Sequence, residues 1–143
     1  MTPADEIKQA ATRLRELATA ASTDGRDKPT TRWHFKKCDN RGYLYAENPT
    51  GPGVRITPST PANPGMWPRH GDYIATMDPT VGLALADWLD SWTGIDLRDD
   101  GPLPEDAQHA LTVARALLGQ PAPTQWYRTS GFDQHDDYRE DTP

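Results

Sequence analysis

The stretch His70–Trp92, HGDYIATMDPTVGLALADWLDSW, constrains this chain most, because a strong helix start signal sits in its middle. An Asp side chain such as Asp78 accepts hydrogen bonds from the first free backbone N–H groups of a helix, and Pro79 fits the first helical position, where its missing N–H is not needed. From there Val81, Leu85, Trp88, Leu89 and Trp92 recur at steps of three and four, which places them on one helical face. Gly94 supplies the stop. Upstream, Gly71-Asp72 opens a shorter turn through Tyr73–Met77, so the stretch reads as two helical pieces bent at Asp78-Pro79. The apolar run is too short, and too interrupted by Asp, for a membrane span, which needs about 20 residues. It reads as a core helix with both tryptophans buried. Gly82 costs such a helix roughly 1 kcal/mol relative to Ala. With Ala86, four residues on, it forms a strip of small residues suited to close approach by a second helix.

The N-terminus shows a second helix opening: Thr2 as cap, Pro3 at the first position and Asp5 three residues after the cap. Ile7, Ala10, Leu14, Leu17 and Ala21 follow as an apolar seam, ending near Ser22. Packing within the chain is favoured over a coiled-coil dimer through residues 3–22, since barely three heptads with two alanines make a weak zipper. A monomer is expected. Thr31–Lys37 alternates, with Trp33 and Phe35 on one side and Arg32, His34 and Lys36 on the other, and Gly42–Glu47 is a second short run rich in Tyr. Asp39-Asn40 between them has turn chemistry, so a β-hairpin is predicted, and Gly53–Thr57 adds a third strand in the fuller version. A two-stranded hairpin is marginal alone, so Trp33 and Phe35 need an apolar partner, which the central helix provides.

Residues 57–69 form a connector with Pro58, Pro61, Pro64 and Pro68, where regular structure is not expected. Within it Trp67 reads as an anchor to the core in preference to an exposed contact. Pro104–Leu118 is a further helix, with Ala107, Ala110, Leu111, Ala114, Leu117 and Leu118 on one face and Gly119 and Pro121 to stop it. Gln120–Pro143 lacks periodicity and sets Arg128 and Arg139 against Asp133, Asp136, Asp137, Glu140 and Asp141. It reads as a mobile acidic tail whose aromatic residues either dock back on the domain or serve as a short binding motif. The fold class that follows is α+β: three main helices packed with a small antiparallel hairpin or three-stranded sheet, in one domain over residues 1–119, with the tail at 120–143.

The segment Asp72-Tyr73-Ile74-Ala75, Met77, Pro79, Val81 and Leu83-Ala84-Leu85-Ala86-Asp87-Trp88-Leu89 resembles a signature of small actinobacterial proteins of unknown function, many of them from phages, prophages or integrated elements. Pro3-Ala4-Asp5-Glu6-Ile7 and the run from His109 to Ala116 are similar to the flanking helices of those proteins. The resemblance covers about half the chain. It implies a product of a mobile element and assigns no catalytic residue, because the matching positions are helix caps and core.

Composition narrows the chemistry. A net charge of −6 disfavours wholesale binding to nucleic acid while leaving room for a local basic patch. The single cysteine, Cys38, makes no internal disulfide or Cys-based zinc site, and no secretion signal opens the chain, so a cytoplasmic location is the default. No phosphate loop, dinucleotide fingerprint, nucleophile elbow or zinc-protease motif is present, and no cofactor, metal or catalytic residue is assigned. The acids Asp96, Asp99, Asp100, Glu105 and Asp106 lack the alternation of a calcium loop. His34, His70, His109 and His135 lie in different elements, and of these His70 and His109 are the pair best placed to meet.

The leading expectation is therefore a non-enzymatic accessory protein that binds a protein partner. The alternative is a weak single-strand nucleic-acid binder, in which Arg32, Lys36, Lys37 and Arg41 follow phosphates while Trp33, Phe35, Tyr43 and Tyr45 stack on bases. Arg41-Gly42-Tyr43-Leu44-Tyr45 is similar to a fragment of the RNP1 pattern of RNA-recognition domains, without its partner motif. A core role for those aromatics is preferred. A third reading has the acidic loop and tail occupy a basic site on a host factor. Candidate contact residues are Arg32, Lys36, Lys37, Arg41, Trp67, Trp126, Tyr127 and Phe132.

Overall fold

The computed structural model describes residues 1–26, 28–48, 53–57, 65–97 and 102–120. Trp126, Tyr127 and Phe132, the rest of the tail from 121 onward, and residues 98–101 of the acidic loop lie outside them. In chain order the elements are α1 (Pro3–Ala20), β1 (Trp33–Cys38), β2 (Arg41–Ala46), β3 (Val54–Arg55), α2 (Pro68–Thr76), α3 (Pro79–Asp90) and α4 (Glu105–Leu117). The protein is an α+β fold with a three-stranded antiparallel sheet in the order β1-β2-β3.

Helix α1 begins with the capping box that its sequence implies: Thr2 Oγ1 accepts from Asp5 N at 3.2 Å, and Asp5 Oδ2 accepts from Thr2 N at 3.1 Å. It packs against both α3 and α4. With two partners it buries a wider arc than one seam, taking in Ile7, Ala10, Ala11 and Ala18, while Leu17 falls outside the arc and is 50% exposed. The apolar face that a zipper dimer would require is thus occupied within the chain. Against α4, Arg115 makes a two-pronged contact with Glu6, Nε to Oε2 at 2.9 Å and Nη2 to Oε1 at 3.1 Å. The hydrogen-bonded guanidinium holds the Glu6 carboxyl below its ordinary value of 4.5.

The seam between α1 and α3 turns the central helix away from its expected orientation. A Cβ on Gly82 would stand 3.2 Å from the Ala18 Cβ and 3.7 Å from Leu14 Cδ1, so the two backbones approach where neither has bulk. Gly82, Ala86 and Leu89 are buried, whereas Val81 and Trp88 are each 39% exposed. The expectation that Trp88 is a core residue is corrected. Close approach over small residues captured the α1 contact, and the stripe of large side chains lies to one side of it. Trp92 and Leu97 still reach the cluster around Ile7, Leu89, Leu111 and the alanines of α4.

Asp78 links the helical half to the sheet. Its Oδ1 accepts from Val81 N at 3.1 Å, capping α3, and its Oδ2 accepts from Trp33 N at 3.2 Å at the start of β1. Helix α2 begins at Pro68, earlier than the Gly71-Asp72 start that the sequence suggested. Pro68 suits the first position of a helix, and Gly71 serves instead as a contact, since a Cβ there would collide with the Phe35 ring. Nor is the end of the connector irregular, because Met66 and Gly42 exchange backbone hydrogen bonds at 3.0 and 3.1 Å. A proline blocks only its own N–H, and the Met66 N–H remains free to pair. No described helix is long and apolar enough to cross a membrane.

Candidate ligand-binding face of the sheet

The hairpin register fixes which side chains share a face. Trp33 pairs with Ala46, Phe35 with Leu44 and Lys37 with Gly42, while His34 pairs with Tyr45, Lys36 with Tyr43 and Cys38 with Arg41. Because alternate residues of a strand point to opposite sides, the first three pairs form one face and the second three the other. Gly42, Leu44 and Ala46 are buried, and the Phe35 ring occupies the space left open at both Gly42 and Gly71, which places α2 on this inner face. The Trp33 indole Nε1–H donates to the Thr30 carbonyl at 2.6 Å. Asp39, in the left-handed region at φ 54°, turns the chain between the strands, a conformation that Asp tolerates better than most residues.

The outer face carries the other half of the hairpin's aromatics. Tyr43 and Tyr45 point away from α2 and are half-buried, as Trp33 and Phe35 are; of the four, Phe35 packs against Gly42 and Gly71 on the inner face. Strand β3 pairs Arg55 with Tyr45, and the Arg55 guanidinium lies 5.0 Å from the Tyr43 ring centre and 5.8 Å from that of Tyr45. His34 stacks beside Tyr45 at 5.7 Å with an 18° angle between the rings. At the other end of the face the Arg41 guanidinium lies 4.0 Å over the Trp67 ring and donates to the Gly65 carbonyl at 3.3 Å. The Met66–Gly42 bridge sets Trp67 beside Arg41. Trp67 is 42% exposed, so it belongs to this surface and not to the core. Lys36 is exposed next to Tyr43.

The structure therefore gathers Lys36, Arg41 and Trp67 from the candidate contact residues with Tyr43 and Tyr45 of the nucleic-acid reading, and adds His34 and Arg55. It separates the others. Arg32 lies beyond the strand and faces Glu47 at 3.9 Å, and Lys37 sits on the opposite side of the sheet. Arg55 was readable in principle, since a third strand over Gly53–Thr57 pairs antiparallel with the Tyr-rich run. What its sequence did not reveal was the register that brings it level with Tyr45.

At the margins of the face, Glu47 is opposite Arg32, and the Asp24 carboxylate is taken by the backbone N–H groups of Arg26 and Lys28, which hold it below its ordinary value. Elsewhere, His70 is exposed on α2, and His109 is exposed on α4 with Glu105 of the same helix 3.8 Å away. Among the described residues no three of His, Cys, Asp and Glu stand close enough to hold a metal ion. A hollow of about 760 Å³ beside α1 and the end of α4 is lined by Asp5, Lys8, Arg13 and Glu16, a mixture of signs with no convergent set of donors. No protein family, no curated protein and no solved structure matches the chain.

Proposed function

We propose that this protein is a non-enzymatic binding module and that its ligand seat is the outer face of the sheet. The observation that carries this reading is the concentration of guanidinium–ring contacts there, Arg41 on Trp67 and Arg55 on Tyr43 and Tyr45. A guanidinium over a ring is held in place while N–H groups it does not use, in Arg41 those other than the Nη1–H given to the Gly65 carbonyl, can turn to an anion, so the loss of side-chain freedom on binding is reduced. The ligand suited to this face is anionic. A chain of net charge −6 should nevertheless be retained on a heparin matrix at low salt and released as salt is raised. Arg41→Gln with Arg55→Gln should abolish retention. Failure of the folded wild-type protein to bind heparin at low salt would contradict the proposal.

A second reading is favoured by a different observation: Tyr73, Met77, Val81 and Trp88 leave large apolar side chains exposed along α2 and α3. In that reading an apolar protein partner covers this ridge, consistent with the accessory role expected of a phage, prophage or integrated-element product. Val81→Ser with Trp88→Ser should then release a partner co-purified from the native host while leaving heparin retention unchanged. Genes for phage or mobile-element proteins beside this one would support the origin.

A further inference from the structure

The structure points to single-stranded nucleic acid as the ligand of the outer sheet face, and we propose it as such; the inference rests on the binding role assigned to that face above. The face combines two chemistries that an anionic partner uses together only if it also has flat rings. Lys36, Arg41 and Arg55 supply charge, while Tyr43, Tyr45, Trp67 and His34 supply ring surfaces. An acidic peptide would satisfy the cations and leave the rings without a role. A duplex keeps its bases stacked inside, out of reach of side chains on a sheet face. A single strand presents phosphates and free base faces at once.

The geometry also suggests how the strand lies. The face has three rows: His34, Tyr45 and Arg55 in the first, Lys36 and Tyr43 in the second, and Cys38, Arg41 and Trp67 in the third. Same-face positions along a strand are about 6.8 Å apart, roughly twice the 3.4 Å step of stacked bases. Neighbouring bases must therefore unstack to occupy successive rows, which gives a seat of about three nucleotides with each row taking one base. The net negative charge of the protein does not preclude this, since charges beyond about 8 Å are largely screened at physiological ionic strength.

The test uses the full chain and fluorescence anisotropy with labelled oligothymidylate and oligouridylate, the matching duplex and polyglutamate. The expected result is binding of the single strands in preference to duplex and polyglutamate, with a log–log salt slope of about −2 from three phosphate contacts. Tyr43→Ala with Tyr45→Ala should weaken strand binding at least about tenfold while leaving that slope unchanged, and Arg41→Gln with Arg55→Gln should flatten it. Should the alanine pair not fold, Tyr43→Leu with Tyr45→Leu keeps apolar bulk on the strand without a ring, and the same loss is required. Equal binding of polyglutamate or duplex, or strand binding indifferent to loss of both rings, would overturn the inference and leave the anion-binding proposal standing. Absence of binding to every probe, with no retention on heparin, would remove both.

Discussion

The two faces of the sheet share one backbone, alternate residue by residue and carry similar aromatic content, yet they meet different fates. On the inner face Phe35 fills the space that Gly42 and Gly71 leave open, with Leu44 and Ala46 buried around it. On the outer face Tyr43 and Tyr45 meet Arg55 and His34, and no described helix lies over them. An aromatic side chain in a strand is thus not a core residue by its own nature. What stands opposite decides: a glycine that admits the ring, or a guanidinium that rides on it.

Leu44→Ala should give the largest effect. Leu44 is 3% exposed on the inner face, and its loss should cost about 3 kcal/mol, read as a fall in the urea midpoint. Tyr43→Ala, one position away on the other face, removes a half-buried ring and its contact with Arg55 and should cost less, about 1–2 kcal/mol. Equal losses at the two positions would erase the distinction between the faces.

Asp78→Ala ranks next, at about 2 kcal/mol, because one carboxylate both caps α3 and accepts the Trp33 N–H that anchors the inner face. Asp78→Asn should recover only part of this loss, since its single amide oxygen can accept one of the two bonds and its NH2 group faces the other N–H.

Trp88→Ala extends the contrast to α3. A fully buried Trp would cost about 3–5 kcal/mol, but at 39% exposure the expected loss is about 1–2 kcal/mol in a thermal or urea melt. A loss at the upper figure would restore the tryptophan to the core.

That case shows where the sequence was legible and where it was not. The starts of α1 and α3 were readable because a side-chain cap is a local interaction: Thr2 and Asp5, and Asp78 with Pro79, act within four residues, whereas α2, which has no such cap, starts at Pro68 instead of Gly71. The alternation of the hairpin and the apolar face of α4 were readable for the same reason. The rotation of α3 was not, because Gly82 lies against Ala18, sixty-odd residues away in sequence, and the strip of small residues outcompeted the stripe of large ones for the contact. The binding face was half legible. Lys36 and Arg41 stand on the hairpin itself, whereas Arg55 and Trp67 arrive through pairing of β3 and Met66 with β2, which no local pattern specifies.

A small effect is expected at Glu6, far from the sheet. Its carboxyl titrates below 4.5 in the folded protein because Arg115 binds the charged form. A depressed folded pKa contributes stability above the unfolded value, and that contribution is lost as pH falls through the folded one. Glu6→Gln should therefore cost about 1 kcal/mol at neutral pH and reduce the further loss on acidification to about pH 3. Ligand binding by the sheet should be unchanged. A coupled loss of binding would mean that the helical half and the outer face are not separable.

The most direct test of the division between the faces is a titration of ¹⁵N-labelled protein with unlabelled oligothymidylate, followed through the tryptophan indole N–H resonances. Trp67 lies on the outer face under Arg41, and Trp33 is tied to the Thr30 carbonyl on the inner side. The account predicts that the Trp67 indole resonance shifts with added strand while those of Trp33 and Trp88 stay in place. A shift at Trp88 or Trp33 with Trp67 unmoved would contradict it.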